Sequence, residues 1–98
     1  MLLAIIRIAP LAGPAGVDPQ AVHDLVWRHR AAADRLELLH VRGNATGLHL
    51  AGFLLAPSAA AAYDSLRRLV ERSLTAAPEL RLWRVVYPYT RAGPADRS

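Results

Sequence analysis

Residues 47–57, GLHLAGFLLAP, are typical of a β-strand whose apolar residues point both ways. A strand that is buried on one side alternates apolar and polar residues, so this strand is expected in the centre of a sheet, with both faces in need of cover. The two-residue period of a strand places one apolar set on each face: Leu48, Leu50 and Leu54 on one, and Ala51, Phe53 and Leu55, beside His49, on the other.

The rest of the chain predicts the element order β-α-β-β-α-β. Further strands are expected over residues 2–9, 36–42 and 80–87, with the opening strand over 48–56. Asp18 before Pro19 marks the start of a helix that runs to about residue 33. Ser58 caps a second helix, which Pro78 ends, and GNATG is short enough for a hairpin between the second and third strands.

This order predicts an α+β fold of the ferredoxin-like type. It has a four-stranded antiparallel sheet, with the first and third strands in the centre and two helices on one face. The first and third strands are the most apolar, as central strands should be. Each helix carries one apolar stripe, such as Val22, Leu25 and Val26 in the first. The helices therefore cover one face and leave the other open.

Length and composition predict one domain over residues 1–89 and a disordered C-terminal tail over 90–98. The absence of cysteine excludes disulfides, thiolate metal sites and cysteine nucleophiles. No apolar run reaches the roughly 18 residues that span a bilayer, and the N-terminal pattern lacks signal-peptide features, so we expect a cytoplasmic protein without membrane contact. All twelve basic residues are arginine, which is typical of a high-GC bacterium.

The open face is predicted to be an interface. Its apolar area exceeds what soluble monomers usually expose, so we expect a homodimer, and a non-catalytic accessory protein that can also bind a larger protein. The alternation of side chains along a strand leaves two points open. The second strand contributes either Leu39 and Val41 or Leu38 and His40 to the open face. Arg84 falls on the helix side unless the last strand is shifted by one residue. The predicted interface residues are Ile5, Ala51, Phe53, Leu55, Trp83, Val85 and Tyr87.

A small apolar ligand is the second candidate for covering this face. The element order and length over residues 2–88 resemble the stand-alone dimeric α+β barrel proteins, which include cofactor-independent monooxygenases and small isomerases. That resemblance implies a ligand pocket, which Arg7, His40 and His49, with Trp83 and Tyr87, would line, although no catalytic motif of those proteins is matched.

Single-stranded RNA is the third candidate, because RNA-recognition domains share this topology. HLAGFLLA resembles their third-strand motif around Gly52 and Phe53. It lacks a basic residue before Gly52 and a second aromatic residue after Phe53, and the first strand has no aromatic residue. Nucleic acid is therefore the least favoured partner.

The sequence contains no recognisable catalytic residue, metal site or cofactor motif. His40 and His49 flank the hairpin, but two ligands are too few for a structural metal site. His29 lies on the buried stripe of the first helix and is predicted to be a core residue. Trp27 lies off that stripe, so it either contacts a partner or is covered by the loop before the helix.

Overall fold

The computed structural model describes residues 1–11, 16–44 and 46–86. The predicted tail, Tyr87 and most of the loop before the first helix lie outside these residues. The elements are β1 (Leu2–Pro10), α1 (Pro19–His29), β2 (Leu36–Asn44), β3 (Gly47–Leu54), α2 (Ala59–Ala76) and β4 (Trp83–Val86), with 3-10 turns at Ala32–Asp34 and Pro78–Leu80.

The four strands form one antiparallel sheet in the order β2-β3-β1-β4. The prediction of an α+β fold with a four-stranded antiparallel sheet and two helices is confirmed. The two central strands are β1 and β3, as expected from their apolar sequences. The strand order is consistent with the ferredoxin-like arrangement.

Both helices begin at the predicted caps. Asp18 Oδ1 accepts a hydrogen bond from the Gln20 backbone N–H at 3.1 Å, and Ser58 Oγ accepts one from the Ala61 N–H at 3.1 Å. The first helix ends at His29, earlier than predicted, because Arg30 takes an extended conformation. Its end is held by α2: Arg72 donates to the His29 carbonyl and to Asp34 Oδ2, at 3.1 and 2.8 Å.

One face of the sheet is buried beneath the two helices. The buried strand residues and the buried helix residues belong to a single core cluster. His29 lies at the margin of this core, half-buried, with Nδ1 2.9 Å from the Leu25 carbonyl. The largest fully buried side chains are Ile6 and Ile8 of β1, Leu48, Leu50 and Leu54 of β3, Val22 and Val26 of α1, and Leu66, Leu69 and Val70 of α2.

The predicted phase of the last strand was wrong. Leu80 is buried from the 3-10 turn that begins at Pro78, and the strand starts only at Trp83. This turn resets the alternation, so that Val85 lies opposite Ile8 and is only 7% exposed. Leu82, which the predicted phase places on the same side as Arg84, beneath the helices, is 60% exposed. Arg84 lies opposite Ala9, on the open face.

The phase of β2 is settled by its pairing with β3. Leu38 pairs with Phe53 and His40 with Ala51, which places these β2 side chains on the open face. Leu39 is buried on the helix side. A register shift between Leu36 and Leu38 inserts Glu37 as an extra residue, which is the arrangement of a β-bulge.

No helix in the described ranges is both long enough and apolar enough to cross a bilayer.

The close packing of β3 against α2 can be tested at Gly52. A Cβ atom there would lie 3.1 Å from Leu36 Cδ1 and 3.2 Å from Leu66 Cδ2. We expect Gly52→Val to lower the free energy of unfolding by about 2 kcal/mol through overpacking, measured by urea denaturation. Ala51→Val on the open face is the matched control and should stay within about 0.5 kcal/mol of wild type. Equal effects at both positions would contradict this packing.

Candidate binding face

The open face is arranged in rows that the strand register defines. One row is apolar: Leu38, Phe53 and Leu3, from β2, β3 and β1. The next contains His40, Ala51 and Ile5, and the third contains Arg42, His49 and Arg7. Since successive residues on one face of a strand are about 7 Å apart, the first and third rows are separated by roughly 14 Å.

The apolar end of the face exposes large side chains. We call this region the apolar patch, and we define it as Leu3, Ile5, Leu38, Phe53 and Leu55. Four of these residues are about half exposed, namely Leu3 at 48%, Ile5 at 53%, Leu38 at 45% and Leu55 at 46%. Phe53 lies between them and is half-buried. Isolated exposed leucines are common, but a contiguous group on one sheet face indicates a contact surface.

The other end of the face is basic. We call Arg42, His49 and Arg7 the basic row. The two arginines lie on either side of β3, so their Cα atoms are about 10 Å apart. The Arg7 guanidinium donates a hydrogen bond to Thr46 Oγ1, at 3.1 Å, in the hairpin turn. Arg84 lies on the same face of β4.

Among the residues that the structure describes, no carboxylate lies in the three rows of this face. Of the eight acidic residues, Asp96 lies outside those residues, and six of the other seven lie on helices, helix caps or 3-10 turns. Glu37 lines a separate depression with Arg30 and Arg35. In the described part of the chain, no ion pair joins Arg7, Arg42 or Arg84 to a carboxylate.

A shallow concavity of about 430 Å³ extends from the middle row into the basic row. Its floor is apolar, formed by Ile5 and Ala51, and its polar rim is formed by three side chains with N–H groups. The lining residues are Ile5, His40, Arg42, Gly43, His49 and Ala51.

The structure brings some of the predicted site residues together. His40 and His49 both line the concavity, but they are diagonal neighbours, because His40 pairs with Ala51 and His49 with Arg42. Arg7 pairs with His49 and lies beside the concavity without lining it. The described part of the chain contains no cluster of three potential metal-ligating side chains.

The seven predicted interface residues divide into three groups. Three of them lie in the rows of the open face, as predicted: Ile5, Ala51 and Phe53. Leu55 directly follows β3, so that strand alternation assigns it to the face of Phe53, and it is exposed. Trp83 and Val85 do not lie on the open face, because the shifted phase of β4 turns both toward the helices. Trp83 lines a cleft with Leu74 and Thr75 of α2. Tyr87 lies outside the described residues.

Arg42 is the residue that sequence reasoning missed. It lines the concavity beside His49, two positions after His40 on the same face of β2. The signal was available in the sequence, because choosing the Leu38 and His40 phase for this strand also places Arg42 on the open face.

Trp27 is half-buried and packs against the core. The Arg30 guanidinium carbon lies 3.9 Å from the centroid of the Trp27 ring. The His23 ring stacks on the Trp27 ring, with 6.1 Å between the two ring centroids. Hydrogen bonds from His23 and Gln20 hold the pKa of the Asp24 carboxyl below its usual value. Contacts within the chain therefore cover much of the Trp27 side chain, which does not favour the prediction that it contacts a partner.

Comparison of the chain with protein-family models, with curated proteins and with solved structures gives no match.

The basic row predicts an effect of charge on stability. His49→Glu would place a carboxylate between Arg42 and Arg7, in two favourable cross-strand pairs. We expect this variant to be about 1 kcal/mol more stable than His49→Gln, which has the same shape without the charge. The difference, measured by thermal unfolding, should shrink at 1 M salt. Equal stabilities at low salt would contradict the placement of these side chains in one row.

Proposed function

We propose that this protein is a non-catalytic interaction module that binds a second copy of itself through the apolar patch. The observation that carries the proposal is the grouping of Leu3, Ile5, Leu38 and Leu55, each about half exposed, around Phe53. Covering these side chains would remove apolar surface from water, worth about 25 cal/mol per Å².

A two-fold axis near the apolar patch suits both ends of the face. Pairing of identical surfaces would place Phe53 and its neighbours against the same residues of the copy. With the axis there and running across the strands, the two basic rows would lie at opposite ends of the dimer. An overlap of basic row on basic row would instead bring like charges together without described carboxylates to compensate them.

The proposal includes the ferredoxin-like assignment. The β2-β3-β1-β4 order, the antiparallel pairing and the single core beneath both helices support it. The same features support the resemblance to stand-alone dimeric α+β barrel proteins, in which an open sheet face meets a second subunit.

Phe53→Glu tests the interface. The substitution introduces two charges into a symmetric contact, so the dissociation constant of the dimer should rise about 10³-fold, from two losses of about 2 kcal/mol each. Light scattering behind a sizing column should change from near twice the 10.7 kDa chain mass to the mass of one chain.

Two further variants control this experiment. Leu3→Glu changes a more exposed residue of the same patch, so it should separate the copies without disturbing the core. Leu82→Glu changes an exposed leucine outside the patch and should keep the wild-type mass. A wild type that stays at the mass of one chain up to high concentration, or a Phe53→Glu variant with unchanged mass and a normal melting curve, would overturn the proposal.

A further inference from the structure

The concavity combines two kinds of chemistry over a short distance. Its volume of about 430 Å³ lies in the range of small-molecule sites, and its floor of Ile5 and Ala51 is apolar. The polar groups on its rim are the Arg42 guanidinium and the imidazoles of His40 and His49. A ligand that matches it has an apolar body and a polar group at one end.

The charge on the rim has one sign. Arg42 carries a guanidinium that is charged at any physiological pH, and Arg7 places a second one beside His49. In the described part of the chain, no carboxylate forms an ion pair with either of them. A planar guanidinium pairs best with a carboxylate, through two parallel N–H···O hydrogen bonds.

We infer that the concavity binds a small amphipathic organic anion, with a flat apolar body on Ile5 and Ala51 and a carboxylate against Arg42. His40 and His49 flank the carboxylate position, and each imidazole has an N–H to donate. The site is exposed on one side, so the binding is weak in the absence of a cover.

Other occupants fit these residues less well. Phe53 is the only aromatic residue on the described part of the open face, whereas RNA-recognition sheets stack two or three bases. The basic side chains are concentrated at one end of the face and do not form a groove along a nucleic-acid backbone.

The inference goes beyond the proposed function and does not depend on it. The polar residues of the concavity lie outside the apolar patch, and Ile5 is the one residue that both regions use. Ligand binding and solution mass are therefore separate measurements, and either one can fail alone.

The test uses 2-naphthoate and 2-naphthamide, which share a flat apolar body and differ in the charge of the end group. Each is titrated into ¹⁵N-labelled protein, and binding is followed by the shifts of the backbone amide signals. We expect naphthoate to shift residues 40–43 and 49–51 and to bind about tenfold more tightly than naphthamide, as expected for a charge-assisted hydrogen bond.

Substitutions assign the preference to the rim. Arg42→Gln should remove the tenfold preference for naphthoate and leave naphthamide binding unchanged. Arg42→Lys should keep only part of it, because an ammonium group lacks the planar fork. Arg68→Gln changes an exposed arginine of α2 and is the matched control, which should bind like wild type. All three variants should keep the wild-type solution mass.

Three outcomes would overturn the inference. One is equal affinity for naphthoate and naphthamide. Another is a set of shifted signals that excludes residues 40–43 and 49–51. The third is tighter binding of an eight-nucleotide oligouridylate than of naphthoate, with a steep loss of affinity as salt rises, which would assign the face to RNA.

Discussion

Ile6 and Leu50 lie opposite each other in the two central strands and are fully buried beneath the helices. Their burial fixes the face to which all the remaining side chains of β1 and β3 point, because neighbouring residues of a strand point to opposite faces. The next pair along the sheet is Arg7 and His49, which must therefore lie on the open face. A slip of one residue would turn Arg7 into the core, at a cost of several kcal/mol for an unpaired buried charge.

The distribution of charge follows from the same division. The helix side contains charges of both signs, and some of its acidic residues pair with arginines there, such as Asp34 with Arg72 at 2.8 Å and Glu71 with Arg67 at 2.8 Å. These pairs are partly exposed, so each contributes little to stability. The open face is affected more, because six of the seven described acidic residues lie in helices, helix caps or 3-10 turns. The arginines of the open face consequently lack a described carboxylate partner.

The parts of the fold that depend on local chemistry could be predicted from the sequence. Asp18 and Ser58 cap the helices as expected, and the apolar character of both faces of β3 identified it as a central strand. The phase of β4 could not be predicted, because Leu80 is apolar and buried but belongs to a 3-10 turn. Apolar periodicity does not distinguish a buried turn residue from the first residue of a strand. For the candidate site, the sequence predicted His40 and His49 as residues of the concavity, whereas the placement of Arg42 on the open face depended on the phase of β2.

The two regions of the open face differ in the kind of contact that they favour. The apolar patch has no directional groups, so it suits a contact in which area and shape set the affinity. The concavity has guanidinium and imidazole donors at fixed positions of the strand register, so it suits a ligand that is selected by the placement of one charged group. Ile5 belongs to both regions. In our proposals a second copy and an organic anion therefore occupy adjoining parts of one face. If binding of the anion changes the affinity for the second copy, binding of the second copy must change the affinity for the anion by the same factor.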